Sequence, residues 1–211
     1  MTITELPVSQ TPAPSRCELL WDLPNQTTTL FEINGKPGSG PKLDFAALGQ
    51  WVTGHAGAGD EAAATVFANV TTDKNVSGLQ GFINAIRNLG FSVFAKPRVG
   101  DSDIDDDLVA HVESVSGSLA HLIVGTHDRG LLQRCLDAVP AGCRVTVIGF
   151  EECSNWARSS DRVEFVDLED IPGLFLAPLG RCLLRRLPAE GALLPALAPL
   201  PRGIQEVANA A

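Results

Sequence analysis

Leu119-Ala120-His121-Leu122-Ile123-Val124-Gly125-Thr126-His127-Asp128-Arg129-Gly130 is the stretch that decides the fold. A short apolar run with β-branched residues ends in small and polar residues, and a helical pattern follows over 130 to 139. The run predicts a strand, with Asp128 just past its C-terminal edge. The same design stands near the start of the chain, where Cys17-Glu18-Leu19-Leu20-Trp21 ends at Asp22. In an open α/β sheet that edge is where ligands and catalytic groups collect.

The pattern extends in both directions. Strands are predicted at 17 to 22, 62 to 70, 91 to 96, 119 to 125 and 143 to 149. Helices fall between them at 43 to 54, 76 to 89, 104 to 116 and 130 to 139, and Gly90 stops the second. Strand and helix in alternation imply a parallel sheet in an α/β domain. Residues 1 to 15 read as a mobile lead, 16 to 170 as the domain and 171 to 211 as a Pro/Leu-rich extension with a short docked helix near 179 to 187. Residues 34 to 42, with Lys36 and Lys42 flanking glycines and prolines, read as a flexible loop able to serve as a lid or rim.

The 211 residues suffice for the core of one α/β domain plus an appendage. A hydrophobic fraction of 45% with 19% charged residues is that of a soluble globular protein. No apolar run approaches the roughly 20 residues that span a bilayer, and the first residues lack a signal-peptide pattern. Both point to the cytoplasm and away from a membrane. Five scattered cysteines form neither a disulfide framework nor a zinc ribbon and read as buried thiols. The formal charge of −9 argues against a general nucleic-acid coat but leaves room for a metal-dependent nuclease, because a cation in an acidic cleft reverses the local sign.

Four places supply acidic or amide groups that the alternation would gather: Trp21 to Asn25, the Asp run 101 to 107, Thr126 to Asp128, and Asp161. Gathered carboxylates repel one another unless a cation lies between them. Pro24 is expected to sharpen an exit turn that aims Asp22 and Asn25 into one cleft, and a plain Asx turn explains the same residues. Asp105 sits in the first turn of a helix whose Ile104, Leu108, Val112 and Val115 recur at helical spacing. Some of its acidic neighbours are accounted for as helix caps. Asp128 has the double reading of metal ligand and helix cap. His127 fits an acid or base, Arg129 a phosphate contact, and Trp21 a base-stacking position near the cleft, although a lone His or Trp is more often structural.

Other chemistries leave no trace. The chain has no Gly-x-x-x-x-Gly-Lys phosphate loop, no Gly-x-Gly-x-x-Gly after its first strand and no Gly-x-Ser-x-Gly elbow. A receiver-like phosphoacceptor domain would want a Lys after its last strand, where Gly149-Phe150-Glu151 stands.

These residues, in this order, resemble the NYN domain, a branch of the PIN-like ribonucleases. Trp21-Asp22-Leu23-Pro24-Asn25 is similar to that family's opening Asp-x-x-Asn, and Ile104-Asp105-Asp106-Asp107-Leu108 to its apolar-Asp helix start. Thr126-His127-Asp128 sits where the family has Ser-Gly-Asp, and Phe165-Val166-Asp167-Leu168 resembles part of its ending. The resemblance implies a three-layer α/β/α sandwich and a metal-dependent endoribonuclease. It assigns Asp22, Asp105 and Asp128 to a Mg²⁺ or Mn²⁺ ion, and Asn25 and Thr126 to orienting ligands or phosphate oxygens. Two departures stand against turnover: Gly130 replaces a second Asp, and Ser102 or Asp103 replaces a Lys. The expected activity is hydrolysis of RNA phosphodiester bonds. The rival expectation is a catalytically degenerate domain that binds RNA or protein, its extension from 171 meeting a protein partner or a second copy.

Overall fold

The structure, a computed structural model, describes residues 15–34, 42–70, 76–98 and 103–179. Six strands form one parallel sheet: β1 (Arg16–Asp22), β2 (Glu61–Val70), β3 (Ser92–Pro97), β4 (Leu119–Gly125), β5 (Arg144–Gly149) and β6 (Glu164–Asp167). Their spatial order is β3-β2-β1-β4-β5-β6. The chain winds outward from β1 to β3, then returns to β4 and winds the other way. The order reverses between β1 and β4, which opens a crevice at their C-terminal ends.

Helices cover both faces, giving three layers. On one face lie α1 (Leu23–Asn34), α2 (Phe45–His55) and α3 (Val76–Asn88); on the other lie α4 (Asp105–Val115), α5 (Arg129–Ala138) and the short α6 (Asn155–Arg158). The alternation of β1 divides its side chains between two cores. Cys17, Leu19 and Trp21 join Leu30, Phe45, Leu48 and Ile86 on the first face, while Leu20 joins Leu108, Val112, Leu131 and Leu132 on the second. Asp22 shares the parity of Leu20, so its carboxylate belongs to the side from which α4 and α5 start.

The helix α1 corrects the expectation of an exit turn followed by a loop. Pro24 is its second residue, in the first turn, where a missing N–H costs nothing. Three consecutive threonines give the segment poor intrinsic propensity. Tertiary contacts hold it instead: Leu30 and Ile33 are buried, and Gln26 donates from Nε2 to the Ile148 carbonyl at 3.2 Å. Packing also continues past residue 170. Ile171, Leu174 and Leu179 are buried against the first core, and Asp44 N–H bonds the Leu174 carbonyl at 3.0 Å. Most of the 34–42 loop, residues 1–14 of the lead, and all but the first residue of the helix expected near 179–187 lie outside the described residues. Among the described residues no helix is long and apolar enough to cross a membrane. Cys17, Cys135, Cys143 and Cys153 are free thiols, and burial pushes Cys17 up to about 11 and Cys135 up to about 12.

Candidate functional site

Asp22, the last residue of β1, is 5% exposed and sits at the crevice. Its Oδ1 accepts the Asn25 N–H at 3.2 Å and its Oδ2 accepts the Thr126 hydroxyl at 3.1 Å. Burial pushes its carboxyl up to about 6 against those two bonds, and the charges of Asp105 and Asp103 push the same way. Thr126 is itself fully buried and accepts the Asp128 N–H at 3.1 Å. The two strand ends are thus tied together through one hydroxyl.

Asp105 opens α4 and half-faces solvent. Burial raises its carboxyl to about 6, with the charges of Asp103 and Asp128 adding and Arg134 opposing. Asp128 is the N-cap of α5, its Oδ1 accepting from Gly130 N at 2.6 Å and Leu131 N at 3.1 Å. The cap reading therefore holds for one oxygen. A Cβ on Gly130 would stand 3.2 Å from that oxygen, so the glycine and the cap fit each other closely.

A cleft of about 430 Å³ brings together Asp22, Asn25, Asp103, Asp105 and Asp128, and Thr28, Thr29, Asn69 and Arg98 line it too. Sequence reading missed those last four as site residues. Thr28 and Thr29 follow Asn25 by one helical turn, a spacing that has meaning only once α1 exists. Asn69 and Arg98 stand near the ends of β2 and just past β3, the same strand edge that marked Asp22, and that was the available signal.

Other expected residues lie elsewhere. Arg129 is exposed on the first turn of α5 and does not line the cleft. Asp161 precedes β6 and so belongs to the opposite end of the sheet. Asp106 pairs with Arg134, and Asp107 with Lys96 at 2.8 Å. Trp21 is core: it is fully buried, meets Phe45 edge-on at 6.0 Å, and packs so closely on Gly125 that a Cβ there would be 2.7 Å from Trp21 Cε3. His127 is bonded on both ring nitrogens, to Asn25 Oδ1 at 3.0 Å and to Phe150 N at 2.8 Å, which leaves it no place as an acid or base in the cleft.

The donor set suits a cation in its chemistry. Four carboxylates line one cleft, and the charges of neighbouring carboxylates add to the burial that raises Asp22 and Asp105, a repulsion that bound positive charge removes. Among the described residues, however, no three His, Cys, Asp or Glu side chains are grouped as ligands of a single ion. Asp22, Asp105 and Asp128 share the cleft without closing on one point. Such an arrangement matches Mg²⁺, which keeps several waters and takes one or two carboxylates. It does not suit a dinucleotide, although the strand order is that of dinucleotide-binding sheets. The first βα turn offers a buried carboxylate where a pyrophosphate would need glycine and bare N–H groups.

No protein-family model and no curated protein sequence matches the chain. Among solved structures it is similar to the crystal structure of a Vibrio parahaemolyticus protein of unknown function, with a TM-score of 0.58 and 20% identity. The match covers 76% of this chain and 97% of that one. At that identity the likeness establishes a shared fold and nothing about activity.

Proposed function

We propose that this is an NYN-like, Mg²⁺- or Mn²⁺-dependent endoribonuclease, acting in the cytoplasm. The observation that carries the reading is one cleft beside the topological switch point, lined by the raised carboxyls of Asp22 and Asp105 together with the donors Arg98, Thr28 and Thr29. Asp22 and Asp105 would hold the cation, with Asp128 lining the same cleft. When bound, the cation supplies Lewis-acid stabilisation of a phosphodiester and a nucleophile at neutral pH. The chain's own part is placement. Thr126 and the Asn25 N–H fix the Asp22 carboxylate, while Arg98, Thr28, Thr29 and the Asn25 amide offer donors to the phosphate oxygens.

A second reading is favoured by a specific observation. Asp128 commits one oxygen to the α5 cap, and no three-ligand group stands among the described residues. A domain so arranged binds RNA or a protein without cutting. Incubation of a labelled single-stranded RNA with Mg²⁺ or Mn²⁺ separates the two. The nuclease cleaves it, stops when EDTA is added, and is inactive as Asp105→Asn; the binding module retards the RNA on a gel and leaves it whole.

A further inference from the structure

We propose that His127 is a positioning residue, which grips the carbonyl oxygen of Asn25 and thereby turns the Asn25 amide NH₂ toward phosphate oxygens in the cleft. This inference rests on the phosphodiester reading above. A backbone N–H can only donate, so the Phe150 N–H at 2.8 Å makes His127 Nε2 an acceptor. The neutral imidazole then carries its proton on Nδ1, which donates to Asn25 Oδ1 at 3.0 Å. The His127 backbone N–H donates to the same oxygen at 2.8 Å. Two donors on one atom identify it as the oxygen and settle which way the amide points. Among the described residues Asn25 Nδ2 has no protein partner, and Asn25 lines the cleft.

The surroundings are shaped for this grip. The imidazole lies nearly parallel to the Phe150 ring, 7° between planes and 5.4 Å between centroids. Gly149 passes beneath it, and a Cβ there would be 2.8 Å from Nε2. His127 thus spans from the end of β5 to the first turn of α1, across the mouth of β4. Bidentate seizure of Oδ1 leaves the amide one orientation, so its two N–H groups are preset before a substrate arrives.

The test uses His127→Phe, which keeps the ring on Phe150 and loses both ring bonds, and His127→Gln, whose amide can both accept and donate. Long-range ¹H–¹⁵N spectra of the wild type should show Nδ1 protonated and Nε2 bare. Adding inorganic phosphate with Mg²⁺ should move the Asn25 side-chain NH₂ resonances in wild type and in His127→Gln, and move them less in His127→Phe, which keeps only the backbone N–H on Oδ1. In RNA cleavage, His127→Phe should lower kcat on the order of 10-fold with KM little changed, less than Asn25→Ala does, and add nothing to Asn25→Ala in the double variant. A protonated Nε2, or phosphate shifts as large in His127→Phe as in wild type, overturns the proposal. So does full additivity with Asn25→Ala, which marks a merely structural role. If the wild type cleaves no RNA, the nuclease reading fails alone, and the spectra still decide the grip.

Discussion

The Thr126 hydroxyl meets Oδ2 of Asp22 at 3.1 Å, joining the end of β4 to the end of β1 across the point where the strand order reverses. The carboxylate it reaches is buried and raised to about 6, so this donor favours the charged form. Replacing Thr126 with Val removes it and keeps the shape. The variant should lose about 1–2 kcal/mol at pH 7, where Asp22 is ionised, and less at pH 5, where it is largely protonated. Urea denaturation at the two pH values measures the difference.

Asp22 gives stability a pH dependence of definite sign. Its carboxyl rises from 3.8 to about 6 on folding, so the folded state holds the proton more tightly than the unfolded chain. The cost of ionising it is absent below pH 4, grows between 4 and 6, and is complete above 6. Asp22→Asn should therefore stabilise the metal-free protein at pH 7 by about 1–2 kcal/mol and leave it unchanged near pH 4. Denaturation midpoints across that range test it.

His121 works against Asp22 in the same window. Burial and the Arg144 charge push its imidazole down to about 4 from 6.5. Its Nδ1 accepts from Arg144 at 2.8 Å, and Nε2 bonds Thr146 Oγ1 at 2.8 Å. The unfolded chain takes up the proton below pH 6.5 and the folded one resists it, so stability is lost as pH falls from 6.5 toward 4. His121→Gln should flatten that part of the curve, and in its background the opposite slope that Asp22 and Asp105 share should remain.

Asp128 caps α5 and, in the proposed function, also serves the cation, and one pair of substitutions separates the two. Asn caps helices as well as Asp, whereas Ala does not. Asp128→Asn should unfold within about 0.5 kcal/mol of wild type, and Asp128→Ala should lose about 1 kcal/mol. Both should weaken Mn²⁺ binding alike, because each removes the charge. Thermal unfolding beside a metal titration of the two variants checks the split.

Much of this was legible in the sequence because apolar runs end where the chemistry begins. Leu119 to Val124 and Cys17 to Trp21 mark β4 and β1, and the residues just past them proved to share a cleft. Asp105 was legible from the helical spacing behind it. The helix α1 was hidden because its threonines disfavour helix and its stability comes from burying Leu30 and Ile33. With α1 hidden, Thr28 and Thr29 had no reason to face anything. Arg129 was misplaced because adjacency to Asp128 in sequence is not adjacency in space; the cleft's arginine, Arg98, comes from the far side of the sheet past β3. Trp21 alternates to the opposite face from Asp22, so neighbours along a strand went to core and cleft respectively.

The most direct test of the proposed metal-dependent site is a calorimetric Mn²⁺ titration of wild type and Asp22→Asn, paired with cleavage of a labelled single-stranded RNA by the same preparations. The account predicts that wild type binds the ion and cleaves, and that Asp22→Asn loses both together. A wild type that takes up no ion and leaves the RNA intact, or an Asp22→Asn variant that still cleaves, would contradict it.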